Sequence, residues 1–281
     1  MNIIAIDIGN TNITTALFID DIESGIEKTS GGSTPSTSLR AGSLTTGGDS
    51  AKLAEIFKKF WGKIPVSKSA KDKTKRDGVI VVASVKSEWT ENVRRIFKEQ
   101  LNEKILEIGI GKDVPLPMEL DVDEPRKVGV DRIMCAYAAY SVVENAVVVA
   151  DFGTAVTIDL VSEKGVFLGG TILPGFEACA DALNRFAPTL PKLEKVQTPQ
   201  KPFGRNTTEA INNGLYYSAI GALETITRLY SEHIGTWPQT VITGGGMPII
   251  KESCDFADSF VSDLAVKGIV LTYKKYIEDK A

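Results

Sequence analysis

The chain has 281 residues, enough for a sizeable core and for one or two domains of ordinary size. Its hydrophobic fraction of 43% and charged fraction of 24% are those of a soluble globular protein, and a net charge of -4 gives no bulk electrostatic reason to bind nucleic acid or an anionic membrane. Cys135, Cys179 and Cys254 have no zinc-binding spacing and read as reduced, mostly buried thiols, while the single histidine, His233, argues against Ser-His-Asp and histidine–metal chemistry.

The apolar residues 3–6 predict a buried strand that ends at Asp7. No basic region precedes them and Asp7 interrupts them, so they are not read as a signal peptide, and no apolar run approaches the roughly 20 residues of a membrane helix. A cytoplasmic location is the expectation. Residues 13–18 predict a returning strand, giving a β-hairpin turned by Gly, Asn and Thr. The stretch 21–50, rich in Ser, Thr and Gly, predicts a mobile surface loop. A helix is predicted over 51–61, a charged loop over 68–77, a buried strand over 79–83 and a helix over 89–101, whose aromatics belong to the core. The acidic, Pro-rich stretch 114–127 reads as a connection and 131–143 as a helix. A strand over 147–150 leads into Asp151, and 156–161 returns. Asn206-Thr207-Thr208-Glu209 has the form of a capping box opening a long helix that Gly235 closes, with His233 favoured by the dipole at its end. A strand over 240–243 runs into Gly244-Gly245-Gly246, and a last helix covers 266–277. Alternating strands and helices of this kind make an α/β protein.

The two acidic turns match. Asp7 aligns with Asp151, Gly9 with Gly153 and Asn10 with Thr154, which points to an internal duplication with halves 1–127 and 128–281. In each turn glycine admits a phosphate close to the backbone, N–H groups and Asn or Thr side chains donate to its oxygens, and the carboxylate can hold a hydrated cation. No Walker-type phosphate loop is present, so phosphate charge must be offset by metal ions and backbone donors. Asp131, at a predicted helix start beside Arg132, reads either as a capping carboxylate or as a base that accepts a hydroxyl proton. Thr207 reads either as a cap or as an anion contact at a helix start. The glycine triplet offers a flat surface for a nucleoside or a tight strand-to-helix turn, and 169–176 a loop closing a cleft or a turn between strand and helix.

In order and spacing these residues resemble the type III pantothenate kinases, a Baf-like family of the acetate and sugar kinase, heat-shock ATPase and actin superfamily. The resemblance is carried by Asp-x-Gly-Asn-Thr-Asn at 7–12, Gly-Val-Asp-Arg at 129–132 and Asp-Phe-Gly-Thr-Ala-x-Thr-x-Asp at 151–159. Gly-Gly-x-Ile-x-Pro-Gly at 169–175, Gly-Arg-Asn-Thr at 204–207 and the stretch 262–269 add to it. It implies a duplicated actin/hexokinase-like (ribonuclease H-like) α/β fold of two domains with a central cleft. It also implies ATP-dependent phosphorylation of pantothenate on its terminal hydroxyl, the first step of coenzyme A synthesis. By resemblance Asp7, Ile8, Gly9, Asn10, Thr11, Asn12, Ile13, Thr14 and Thr154 bind ATP. Asp131 accepts the proton, and Gly129, Val130, Asp131, Arg132 and Thr207 bind pantothenate. Asp151 holds a monovalent cation, potassium or ammonium, Mg2+ arrives with ATP, and the protein is a homodimer.

Three features depart from the family pattern. Val122, in Val122-Asp123-Glu124-Pro125, stands where many members carry a tyrosine of the pantothenate site. The turn Ala83-Ser84-Val85-Lys86-Ser87 lacks the family's proline, and the stretch 21–50 is long. Two alternatives accompany the leading reading: a kinase of the same fold acting on another small hydroxy acid, and a non-catalytic ATP-binding regulatory protein.

Overall fold

The structure, a computed structural model, describes residues 1–30, 47–67 and 75–281, so most of the expected 21–50 loop and of the charged loop over 68–77 lies outside the described residues. The described chain forms two compact units. One comprises Met1–Pro117, Arg126–Met134 and Ala265–Ala281; the other comprises Met118–Pro125 and Cys135–Leu264.

In the first unit the strands β1 (Ile3–Ile8), β2 (Asn12–Ile19), β3 (Ile22–Ser30), β4 (Val79–Ser84) and β5 (Ile105–Glu107) form a sheet of order β3-β2-β1-β4-β5. β1 pairs antiparallel with β2 and parallel with β4. Its unbroken apolar run fits a strand covered on both faces, and residues 3–6 are fully buried. Helices α1 (Gly47–Lys63) and α2 (Ser87–Leu101) supply one cover. Trp89, Val93, Ile96 and Phe97 fall on the buried stripe of α2, and the rings of Phe57 and Phe97 stack 4.4 Å apart. The start of the expected 21–50 loop is instead strand β3. Its weak apolar pattern belongs to an edge strand, fixed by backbone pairing to β2 and not by burial of its side chains.

The second unit repeats the scheme. It contains β6 (Val147–Phe152), β7 (Ala155–Val161), β8 (Phe167–Pro174), β9 (Gln239–Thr243) and β10 (Ser259–Phe260) in the order β10-β9-β6-β7-β8. β6 again pairs antiparallel with its hairpin partner and parallel with the next crossover strand. The register irregularity between Leu17 and Phe18 recurs between Leu160 and Val161, at the same place relative to the residues facing Asp7 and Asp151. That shared bulge supports duplication of one ββ unit. The connection over 114–127 is partly ordered into this sheet: the backbones of Glu119 and Asp121 bond with that of Phe167.

The remaining helices are α3 (Val130–Val143), α4 (Phe176–Phe186), α5 (Thr207–Ile234), the short α6 (Met247–Ile250) and α7 (Leu264–Glu278). Tyr216, Ile220 and Leu223 of α5 pack with Val148, Ala150 and Ile158. Gly235 ends α5 in the left-handed conformation, and His233 occupies its last turn as expected. The cysteines are free, and burial, with the charges of Asp255 and Glu224, pushes the Cys254 thiol up to about 11. Among the described residues no helix is long and apolar enough to cross a membrane.

α7 is anchored in the first unit by Lys275, which donates to the Pro117 carbonyl at 2.8 Å, and by Lys274 paired with Asp21 at 3.0 Å. Its Gly268 lies so close to the Met134 carbonyl of α3 that a Cβ would overlap the oxygen. Gly268→Ala is therefore expected to lose about 1–3 kcal/mol in urea unfolding. Gly221→Ala, at an exposed position of α5 where a methyl meets nothing, is expected to gain up to about 1 kcal/mol. Equal effects of the two substitutions would show that α7 does not pack this closely on α3.

Candidate functional site

The first acidic turn is built by strand ends. Asp7 faces Thr14 across the β1–β2 pair and Ile8 faces Ile13. The two isoleucines are buried, so their side chains anchor the turn. The Gly9 N–H donates to the Asn12 carbonyl at 3.0 Å and closes the turn. Asn10 and Asn12 are exposed and Thr11 is half-buried, which leaves amide donors at the turn's outer edge for an anionic oxygen.

Asp131 lies in the same unit, and a short chain of contacts links it to that turn. The Val85 N–H donates to the Ile8 carbonyl at 3.0 Å, and a Cβ at Gly129 would stand 3.6 Å from the Val85 side chain. The same Cβ would lie 2.5 Å from Asp131 Oδ1, so glycine leaves the carboxylate room. Oδ1 accepts from the Arg132 N–H at 2.8 Å. Asp131 thus caps its own helix, yet a carboxylate keeps a second oxygen for other work. Burial raises the Asp131 pKa above the ordinary carboxylate range, against the opposing pull of the Arg132 N–H and guanidinium. The neighbouring 83–87 turn lacks the expected proline, but it is held by local bonds: the Ser84 hydroxyl accepts from the Lys86 N–H at 3.0 Å, and Thr90 Oγ1 donates to the Lys86 carbonyl at 3.1 Å.

In the second unit the Gly153 N–H donates to the Ala155 carbonyl at 3.1 Å, a turn one residue shorter than the first. Asp151 sits between Thr157 of β7 and Thr243 of β9. Two glycine segments press against this turn. Gly244, at φ 92, has its Cβ position 2.6 Å from the Phe152 backbone and overlapping Asp151 Oδ1, and the Gly246 N–H donates to the Phe152 carbonyl at 2.8 Å. The Gly175 N–H donates to the Thr154 carbonyl at 3.1 Å, and its Cβ position is 2.6 Å from that oxygen. The glycine triplet is therefore a tight turn from β9 into α6. The stretch 169–176 is not a free closing loop: it finishes β8, and Gly175 caps α4.

Thr207 is the exposed first residue of α5. Asn206, and not Thr207, is the cap: its Oδ1 accepts from the Glu209 N–H at 2.9 Å, while the Glu209 carboxylate accepts from the Arg205 N–H at 2.8 Å. Val122 lies against Gly169 of β8, its Cγ1 3.6 Å from the Cβ position there. The first unit therefore holds the Asp7–Thr14 turn with Gly129, Val130, Asp131 and Arg132, and the second holds Asp151, Thr154 and Thr207. Sequence reasoning singled out the glycine triplet and Gly175, but not the Asp151–Thr154 turn as their common partner. The signal was glycine directly after a strand; its target lay far along the chain.

A family model described as type III pantothenate kinase matches residues 3–229. Relatives bearing that name include a protein of Agathobacter rectalis, 32% identical over 97% of this chain and 97% of its own. One from Parafrankia sp. is 29% identical over 99% of this chain and 100% of its own, and one from Moorella thermoacetica is 36% identical over 70% and 76%. Among solved structures, a conserved Baf-family protein from Campylobacter jejuni superposes with a TM-score of 0.57 at 18% identity, covering 99% of this chain and 100% of that one. The ethanolamine utilization protein EutJ from Carboxydothermus hydrogenoformans gives 0.51 at 14% identity, covering 97% and 90%. At those identities the two structures speak for the fold alone, the duplicated actin/hexokinase-like α/β fold. By the extent of the family match and the full-length relatives, the chain belongs to the type III pantothenate kinase family.

Proposed function

We propose that this protein transfers the γ-phosphoryl group of ATP to the terminal hydroxyl of pantothenate, the first step of coenzyme A synthesis. The observation that carries the reading is Asp131: a carboxylate held by its helix end, raised in pKa by burial and placed beside the strand end that carries the Asp7 turn.

Phosphoryl transfer asks the protein for position and charge more than for covalent chemistry. The side chains of Asn10, Thr11 and Asn12 bind phosphate oxygens, and Asp7 would hold the Mg2+ that accompanies ATP. In the second unit Thr154 contacts the nucleotide. Asp151 would hold the monovalent cation, whose positive charge replaces that of an absent phosphate-loop lysine. The donor set fits such an ion. Carboxylate and backbone carbonyls are hard oxygen ligands, and at Gly244 a Cβ would fill the space beside Asp151 Oδ1. Arg132 and Thr207 bind the acceptor. Its hydroxyl oxygen forms the new bond to the γ-phosphorus as the bond to the β–γ bridging oxygen breaks, ADP leaves, and the hydroxyl proton passes to Asp131. A cytoplasmic homodimer completes this reading, and light scattering measures its mass.

One observation favours a second acceptor. Val122 presents an aliphatic wall at Gly169 where the family resemblance places a phenol. A clear preference for another small hydroxy acid in an acceptor screen would move the assignment to that substrate and leave the ATP half intact.

In a coupled ADP-release assay Asp131→Asn is expected to lose at least about 100-fold in kcat while nucleotide binding, read by thermal shift, persists. Full activity in the variant removes Asp131 from the base role. Stability changes with the opposite sign. Because burial raises the folded-state pKa, the folded protein keeps this proton over a pH window in which the unfolded chain has lost it. Stability therefore falls as pH rises through that window. Asp131→Asn should accordingly melt higher than wild type at pH 7, and the difference should close below pH ~4, where the unfolded carboxyl is also protonated.

Asp151→Ala tests the cation. Wild-type turnover is expected to rise when potassium replaces a bulky organic cation at constant ionic strength, and the variant should lose that response. A variant that keeps it places the ion elsewhere.

A further inference from the structure

The segment 187–206 contains no helix or strand. A connection of this length inside a compact unit is uncommon unless it has a task, and its backbone polar groups need partners. Its root is apolar: Val196 is buried in the second unit's core and Leu193 packs against that core. Beyond Val196 the chain is tied down at successive points. The side chain of Asn212 reads both backbone groups of one residue, with Oδ1 accepting from the Gln197 N–H at 2.8 Å and Nδ2 donating to the Gln197 carbonyl at 2.9 Å. Thr198 Oγ1 donates to the Ile249 carbonyl at 2.7 Å. Asn213, itself buried, donates from Nδ2 to the Lys201 carbonyl at 2.7 Å. Gly204 lies flat against the α5 backbone at Glu209 and Ala210, and the Glu209 carboxylate takes the Arg205 N–H.

All of these ties but that of Thr198 to Ile249 share one geometry. Residues 209, 212 and 213 occupy the first two turns of α5, at the helical spacing that puts side chains on one face. Residues 197–206 are wound against that face as a strap that ends at Thr207. The core does not require the Asn212 bonds: an amide so placed mimics a strand pairing and fixes where the backbone of the strap runs. What the strap delivers is the approach of Arg205 and Asn206 to the residue that the reading above assigns to the acceptor.

We propose that Asn212, acting through the 197–206 strap, is a positioning residue for acceptor binding at Thr207. The proposal rests on the assignment of Thr207 to the acceptor, so its test keeps the two apart. Asn212→Ala removes both bonds, together with the longer donation from its Nδ2 to Asn213 Oδ1 at 3.4 Å. Asn212→Asp keeps the acceptor for the Gln197 N–H but turns a second oxygen toward the Gln197 carbonyl, and it should loosen the strap as well.

The full chain and both variants are assayed for KM of pantothenate, KM of ATP and kcat. Each is also digested with trypsin under native conditions, with cleavage after Lys192, Lys195 and Arg205 read by fragment mass. Lys201 precedes proline and resists. Both variants are expected to be nicked faster at those bonds, with KM for pantothenate raised about tenfold, the scale of losing two neutral hydrogen bonds. Kcat and KM for ATP should stay within about twofold, since the phosphate turn is untouched. Faster nicking with an unmoved pantothenate KM overturns the proposal and leaves the strap a purely structural tie. Unchanged nicking overturns it too, as does a parallel loss of every kinetic parameter. Absence of pantothenate turnover in the wild-type protein overturns the reading of the acceptor, and this proposal with it.

Discussion

Strands β1 and β6 are covered on both faces, so neither can carry a charged side chain along its buried length. Residues 3–6 and 147–150 are apolar throughout, and a carboxylate appears only where each strand runs out, at Asp7 and Asp151. The rest of the site depends on this constraint. The return strand must fold back at once, which needs a glycine-closed turn, and the parallel neighbour ends at the same level and supplies the second wall. In the first unit that wall is the Ser84–Val85 turn with Gly129 behind it; in the second it is Gly244 against Asp151. Sheet register, set by burial, thereby fixes where the chemistry can stand.

The two copies of the turn have diverged in length and in packing. The first is longer by a residue and projects Asn10 and Asn12 outward, a surface of donors suited to phosphate oxygens. The second is shorter and closely packed by Gly175 and Gly244, which approach its backbone and Asp151 Oδ1 so tightly that neither position leaves room for a Cβ. On the proposed reading the first turn meets the polyphosphate and the second the cation. The bulge shared by both hairpins shows that the pairing scheme beneath the turn persisted.

Helix starts are used twice over in this protein. Asp131 satisfies the Arg132 N–H at the opening of α3 and is at the same time the half-buried carboxylate of the proposed transfer. Its raised pKa means that the folded state is less stable with the charge present, a cost carried at the carboxylate proposed as the base. At α5 the work is divided differently: Asn206 and Glu209 do the capping, which leaves the Thr207 hydroxyl free of that duty. The helix-end bonds are thus made differently at the two positions: at α3 the Asp131 carboxylate takes a first-turn N–H itself, and at α5 a neighbour does.

The sequence by itself determined what is local. Residues two to seven apart within one hairpin decide the acid–glycine turns, and the alternation of apolar runs and caps decides the helices over 89–101 and 207–234, since period and capping are read from neighbours. The duplication was legible for the same reason, as two copies of one local pattern. It did not determine that residues 22–30 are a strand, because an edge strand is held by backbone bonds to β2 and carries little apolar signature. Nor did it tell that the glycine triplet and Gly175 close on a single turn, that Val85 links the Asp7 strand to Gly129, or that Asn212 and Asn213 bind the strap. Those contacts join residues far apart in the chain, and a glycine or an asparagine looks the same in sequence whatever it meets. Only the tertiary structure, by setting which backbones approach each other, decided them.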